Sequence, residues 1–193
     1  MSVKILGGSA RGFTLLTPKT FSTRPTSVLV RRKIFDWRQR MDEFIFLDVF
    51  AGSGSMGFEA LSRGAEKIFL NDSNKSAFLT LRDNKLRIEK AFSLPTSNIQ
   101  LSNMDAKIWV TRELNSNLNN SSNAVLYIDP PYEQHKLYDE MIVALKDKKF
   151  NGEVWLESDK LKGPHLKDLV GAFSSVIKIV EQGDHFVILG KLV

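Results

Sequence analysis

Residues 44–61 read FIFLDVFAGSGSMGFEAL. Phe44–Val49 is an apolar run interrupted only by Asp48 near its end, the pattern of a strand buried on both faces. A literal G-x-G-x-x-G follows at Gly52, Gly54 and Gly57. A helix is expected from about Ser55 to Arg63, with Gly64 as its stop. Glycine allows a sharp turn and lets a ligand approach the backbone without meeting a Cβ. The helix start adds unpaired N–H groups. Strand, glycine loop and helix in this order predict an adenosine-containing cofactor at the carboxyl end of a parallel strand. The loop suits NAD as well as S-adenosylmethionine, and Asp72, twenty residues after Gly52, stands where a ribose-binding acid is expected.

The pattern repeats downstream. Ile68–Leu70, Ile99–Leu101, Val125–Asp129 and Val154–Glu157 read as further strands. Asn71–Asn74 is polar and can cap a helix to about Lys90, with Ala77, Leu81 and Ile88 inward. Strands alternating with helices imply an α/β, Rossmann-like domain with a mostly parallel sheet and helices on both faces. Val176–Val180 and Phe186–Leu192, around Gln182-Gly183-Asp184, read as an antiparallel hairpin at the sheet edge. Residues 115–123 (NSNLNNSSN) read as a polar loop.

Upstream the reading changes. Residues 1–25 are rich in Gly, Thr and Pro and predict a loose arm or a small hairpin. A helix is expected from Thr26 or Ser27 to about Met41, with Val30, Ile34, Trp37 and Met41 on one face and Arg31, Arg32 and Arg38 on the others. The division expected is a basic arm and helix over 1–42, packed on a catalytic domain over 43–193.

Charge is polarised along the chain. Residues 1–40 hold nine Lys/Arg and one acid, Asp36; the remainder holds 18 basic and 21 acidic side chains. A basic N-terminal part on an otherwise acidic body suggests contact with a polyanion, although a solvated basic face has the same composition. There is no cysteine among the 193 residues, which excludes disulfides and cysteine-ligated metals. No apolar run approaches the ~20 residues of a membrane span, and the first residues lack a signal-peptide stretch. A cytoplasmic location, no membrane partner and no metal are expected, with a monomer as the simplest assembly.

Asp129-Pro130-Pro131-Tyr132 narrows the chemistry. Two prolines end the fourth strand in a rigid turn and fix the direction of its carbonyls. Asp129 contributes a carboxylate and Tyr132 an aromatic face. An exocyclic amino group on a base is a poor nucleophile, because its lone pair is delocalised into the ring. Hydrogen bonds from its N–H groups to Asp129 and to the Pro130 carbonyl would favour a pyramidal nitrogen facing a methyl donor. Tyr132 would stack on the extruded base. Orientation and electrostatic preorganisation would supply most of the catalysis.

With these residues in place the chain resembles the class I S-adenosylmethionine-dependent methyltransferases that carry an Asp/Asn-Pro-Pro-Tyr/Phe motif. In particular it is similar to the RsmD-type bacterial small-subunit (16S) rRNA guanine-N2 methyltransferases. Ile5-Leu6-Gly7-Gly8 with Arg11-Gly12, Arg24-Pro25-Thr26, Asp48–Leu61, Leu61–Ala65, Asp105-Ala106 and Asp129–Tyr132 carry the likeness. The resemblance implies a seven-stranded sheet. It implies that Asp48, Phe50, Ala51, Gly52, Ser53 and Gly54 line the methionine half of S-adenosylmethionine. It implies that Asp105 accepts a hydrogen bond from the adenine amino group, with Ala106 beside it, and that Arg24 to Thr26 close over the cofactor or the base. Arg11, Arg31 and Arg32 join them as RNA contacts. Glu157 and Ser158 resemble the Glu-Ser after the family's fifth strand. Two departures stand out. Asn71 occupies the place of the usual ribose-binding Glu, with Asp72 next to it, so either could hold the ribose. Val28-Leu29 and Arg32 replace the usual Asp-Arg and Glu.

The function expected is transfer of a methyl group to the N2 amino group of a guanine in 16S ribosomal RNA, free or in the small-subunit particle. A methyltransferase for adenine N6 or cytosine N4 is the alternative, though no separate DNA-recognition domain is visible. A non-catalytic RNA-binding assembly factor would explain Asn71 and the altered 28–32 segment but not the intact turn. A nicotinamide-dependent dehydrogenase would leave Asp129–Tyr132 idle. His135 could touch substrate but fits a solvated loop better. His165 and His185 show no partner in sequence, and Trp37, Trp109 and Trp155 read as packing residues.

Overall fold

The computed structural model describes residues 2–18, 28–92, 96–115, 118 and 121–193. Seven strands form one sheet: β3 (Ile45–Asp48), β4 (Lys67–Asn71), β5 (Ile99–Ser102), β6 (Ala124–Ile128), β7 (Glu153–Asp159), β8 (Ser175–Gln182) and β9 (His185–Lys191). Their spatial order is β5-β4-β3-β6-β7-β9-β8. The first five are parallel, and β9 lies antiparallel between β7 and β8. The hairpin foreseen at the edge is therefore present, with its second strand inserted inside its first. Strand order reverses between β3, which continues to β4, and β6, the crevice where ligands of open parallel sheets bind.

Alternation along the strands sends residues to two cores. Phe46, Ile68, Val125, Tyr127 and Trp155 face one, shared with α2 (Ser55–Ser62) and α3 (Lys75–Phe92). Leu47, Phe69, Leu126, Ile128 and Leu156 face the other, shared with α4 (Ala106–Asn115) and α5 (His135–Asp147). A short α6 (Leu166–Val170) leads to β8. Asn74 caps α3 by accepting from the Ser76 and Ala77 amides at 2.8 and 3.1 Å. The inward face of α3 is Ala77, Leu81, Asn84 and Ile88, as the periodicity predicted, with one polar residue added.

The N-terminal residues form a two-stranded hairpin, β1 (Ser2–Lys4) and β2 (Thr14–Leu16), followed by α1 (Val28–Trp37). The expected start of this helix at Thr26 or Ser27 lies outside the described residues. Its end comes earlier than expected, because the Met41 amide is drawn away to the Arg63 carbonyl at the end of α2, 3.0 Å. Met41 is still buried, whereas Trp37 is 38% exposed. The hairpin is held on α2: the Leu6 and Gly7 amides donate to the Glu59 carboxylate at 2.7 and 2.9 Å, and Ala10 N donates to Ser62 Oγ at 2.8 Å.

One expectation about α1 is corrected here. Arg31 has no exposed surface. It donates to the carbonyls of Lys4 (2.8 Å) and Ser55 (3.4 Å) and so ties the hairpin to the start of α2. Burial pulls its pKa down, with Glu59 opposing the shift. Arg38 is paired with Glu153 at 2.8 Å and lies over Trp37, Phe44 and Trp155. Of the three arginines read as a basic face, Arg32 alone is exposed.

Candidate active site

Parallel strands deliver their C-terminal residues to one edge of the sheet. Asp48 ends β3, Asn71 ends β4, Asp105 follows β5, and Asp129 follows β6. Register confirms the neighbourhood: Asp48 lies opposite Leu70 on β4 and Tyr127 on β6. The candidate cofactor and amine residues, scattered over eighty positions of sequence, are thereby gathered along adjacent strand ends.

Asp48 is 1% exposed, and its Oδ1 has no hydrogen-bond partner among the described residues. Burial pushes its pKa well up; Asp72 and Glu157 add repulsion, and the Phe50 amide partly compensates. A buried carboxylate oxygen without a partner is costly, and a cationic group placed against it would remove the cost. The glycine loop beside it is open. Gly52 sits at φ +55°, with nothing within 4 Å of where a Cβ would be. Gly54, at φ +79°, is required for a different reason: a Cβ there would come within 2.5 Å of Phe58 and 2.8 Å of Leu81. Ala51 and Ser53 are buried and Phe50 is half-buried. An orphaned acid beside an open glycine loop fits the ammonium and carboxylate end of a methionine-containing cofactor.

The two ribose candidates separate. Asn71 is fully buried and fully engaged: Nδ2 donates to the carbonyls of Val49 (3.1 Å) and Met104 (3.0 Å), and Oδ1 accepts from Ser102 Oγ (2.9 Å) and Met104 N (3.1 Å). It laces the ends of three strands together and has no donor or acceptor left for a ribose. Asp72 accepts from Gly52 N at 2.9 Å and Asn74 N at 2.8 Å. Burial raises its pKa, and those two amides oppose the rise. It is the acid that touches the loop.

Asp105 is exposed and caps α4, its Oδ1 accepting from Lys107 N (2.9 Å) and Ile108 N (3.1 Å). This leaves Oδ2 to meet a ligand beside the buried Ala106. In the Asp129–Tyr132 turn, Asp129 is half-buried, Pro130 buried and Pro131 exposed. The Pro131 carbonyl is taken by Gln134 N at 2.9 Å, whereas among the described residues Pro130 O has a long 3.5 Å contact from Tyr138 Oη. Among the described residues, the more weakly engaged of the two carbonyls is thus the one next to the carboxylate.

Two connections were not legible in sequence. Tyr132 Oη donates to the fully buried Glu157 at 3.0 Å and lies 3.2 Å from His185 Nδ1. Asn84, buried on α3, donates to Ser53 O and Leu16 O at 3.0 Å each and accepts from Leu16 N at 2.8 Å. It thereby pins the end of β2 to the glycine loop. The available signal was a polar residue at 84 in step with inward Ala77, Leu81 and Ile88. Arg11 and Arg32 are exposed, Arg31 is in the interior, and Arg24 and Thr26 lie outside the described residues. His135 is exposed and bonded to the Lys162 carbonyl at 2.8 Å.

A doubly wound sheet, a glycine loop after its first parallel strand and an Asp-Pro-Pro-Tyr turn after the fourth define a class I S-adenosylmethionine-dependent methyltransferase. The family model described as conserved hypothetical protein 95 matches residues 3–177. The chain is 30% identical over 160 residues to ribosomal RNA small subunit methyltransferase D of Escherichia coli strain K12, covering 82% of this chain and 72% of that one. It is 31% identical over 164 residues to the protein of the same name from Haemophilus influenzae, covering 83% and 80%. The solved structure of Escherichia coli yhhF superposes with a TM-score of 0.74 at 26% identity, covering 100% of both chains. The chain belongs to this RsmD-type family of S-adenosylmethionine-dependent methyltransferases.

Proposed function

We propose that this chain methylates the exocyclic N2 of a guanine in small-subunit (16S) ribosomal RNA, acting in the cytoplasm on the RNA or on the small-subunit particle. The observation that carries the amino-group chemistry is the half-buried Asp129 beside the weakly engaged Pro130 carbonyl, at the switch point of the sheet. The relatives' names carry the substrate class. S-adenosylmethionine, when bound, supplies an electrophilic methyl group. Asp48, Gly52, Gly54 and Asp72 hold it on the loop, with Asp105 and Ala106 at its adenine end. Asp129 and Pro130 accept the two N–H bonds of the amine, turn its lone pair toward the methyl carbon, and Asp129 stabilises the positive charge that develops on nitrogen. With the cofactor bound, the nitrogen would keep the methyl group as the methyl–sulfur bond breaks to leave a neutral thioether, and it would lose one proton past Asp129 to water. Tyr132 stacks on the base.

Incubation with cofactor and unmodified small-subunit RNA, or the particle, followed by nucleoside mass spectrometry, is expected to yield N2-methylguanosine. N6-methyladenosine or N4-methylcytosine would move the assignment to the other amino bases, and no methyl transfer to either substrate would overturn it.

RNA contact is assigned to Arg11 and Arg32, together with Arg24 and Thr26 of the arm, and no longer to Arg31. Charge reversal of Arg11 and Arg32 together is expected to weaken RNA binding and to reduce the slope of log affinity against log salt by about 1–2, since each lost phosphate contact removes about 0.7–0.9. An unchanged slope in a filter-binding titration would return both residues to a solvated face.

A further inference from the structure

Glu157 and His185 hold neither the amine nor the cofactor, yet both reach the hydroxyl of Tyr132. Glu157 lies in β7 with no exposed surface. Its Oε1 accepts from Tyr132 Oη at 3.0 Å, and its Oε2 accepts from Tyr127 Oη. His185 opens β9; its Nδ1 lies 3.2 Å from Tyr132 Oη, and the two rings stand 5.7 Å apart at 56°. Asp159 Oδ2 lies 3.8 Å from that Nδ1. A phenol has one proton to give and lone pairs to receive. Tyr132 donates to Glu157, and in the tautomer that carries its proton on Nδ1 His185 donates to the same hydroxyl. Its Cα is fixed by the Pro-Pro turn and its far end by two strands, so the ring has little freedom to swing.

We propose that Glu157 and His185 are positioning residues that hold the Tyr132 ring as a preset plate for the target base, so that a tyrosine in this turn does what a phenylalanine would not. The proposal rests on the reading of Asp129–Tyr132 as the base-binding turn. Preorganisation of this kind lowers the cost of ordering a side chain when the substrate arrives.

Electrostatics supports the arrangement. Burial pushes the Tyr132 pKa up, and Asp129 and Glu157 push it further, so the hydroxyl stays a neutral donor. Burial raises Glu157 to about 7, against the lowering effect of the Tyr127 and Tyr132 hydroxyls. Tyr127 from β6 and Tyr132 from the turn donate to its carboxylate, Asp48 from β3 repels it, and Tyr138 from α5 donates to its backbone carbonyl, while His185 of β9, 3.8 Å from Asp159 of β7, meets it across the Tyr132 hydroxyl. Ionised, Glu157 accepts from both hydroxyls. Protonated, one of its oxygens becomes a donor, and a tyrosine loses its acceptor.

The test compares Tyr132→Phe and Glu157→Gln with the native chain in steady-state methyl transfer to small-subunit RNA across pH, with S-adenosylhomocysteine affinity measured alongside. Both variants are expected to lose roughly ten- to hundredfold in kcat/KM for RNA, mainly in KM, with cofactor affinity unchanged. The native chain is expected to gain kcat/KM as pH rises through about 7. That limb should vanish in Glu157→Gln, which has no carboxylate to titrate, and in Tyr132→Phe, which has no hydroxyl for it to hold. A Tyr132→Phe variant with native KM and a persisting limb overturns the proposal, even if Glu157→Gln folds poorly. Tyr132→Ala separates the two readings. If it abolishes transfer while Tyr132→Phe is silent, the clamp alone fails. If it too is silent, the base-binding reading of the turn fails with it.

Discussion

Asp129→Ala is expected to lower kcat by roughly 10²–10³-fold, the scale on which one preorganised polar group at a reacting centre acts, with the dissociation constant for S-adenosylhomocysteine staying within about twofold. The asymmetry follows from position. Asp129 emerges from β6, one strand away from the glycine loop that follows β3. The Pro130 carbonyl beside it carries, among the described residues, one long 3.5 Å contact from Tyr138 Oη. On the proposed reading, removing the carboxylate would leave the methyl donor in place and the amine unoriented, a loss realised in the transition state and not in cofactor binding. Single-turnover methyl transfer and calorimetric titration, run on the same preparation, check both halves. Loss of cofactor binding in Asp129→Ala would assign this carboxylate to the cofactor instead of the amine.

The second large effect belongs to Asp48. Asp48→Asn is expected to weaken cofactor binding by roughly ten- to hundredfold, equivalent to the ~1.5–3 kcal/mol of a hydrogen bond to a charged group. The same change is expected to raise the melting temperature of the cofactor-free protein. The native carboxylate is buried with one oxygen unpartnered, and its pKa is raised by burial first and by Asp72 and Glu157 after that. A group whose folded pKa is raised contributes stability below its unfolded value of 3.8 and loses it as pH rises through the folded value. Asparagine has no such loss. The difference in melting temperature between variant and native protein should therefore widen from acidic to neutral buffer. An asparagine variant that melts lower at every pH would make Asp48 a structural residue. A site residue that costs stability in the empty protein and recovers it on binding is what a preorganised cofactor pocket predicts.

Asn71 shows how a departure from a family pattern can be read two ways until the neighbours are known. In sequence it is a weakened ribose ligand. In the fold each polar atom of its side chain is spent on Val49, Ser102 or Met104, and the acid in contact with the loop is Asp72. The altered position has become a strand-end brace, and the ligand role we assign passes to its neighbour. Arg31 is the opposite case. Its helical position, one residue from inward Val30, placed it at the margin of the apolar face, and an arginine there is solvated in most helices. It is buried here because the hairpin folds over it and presents the Lys4 carbonyl.

By itself, the sequence determined what depends on local order. The glycine loop, its flanking strand and helix, the four later strands and the C-terminal hairpin follow from periodicity and from the backbone limits of glycine and proline. The Asp129–Tyr132 turn declares its donors and acceptors in four consecutive residues. What only the tertiary structure decided are pairings between groups far apart in the chain: Tyr132 with Glu157 and His185, 25 and 53 residues away; Leu16 with Asn84, 68 away; Arg31 with Lys4, 27 away. The physical reason is that a buried polar side chain takes whichever partner the strand order brings to it. Strand order is set by the packing of two cores against one sheet, and no local propensity encodes which strand ends will meet. The insertion of β9 between β7 and β8 illustrates this: it sets His185 beside Asp159, and so behind Tyr132.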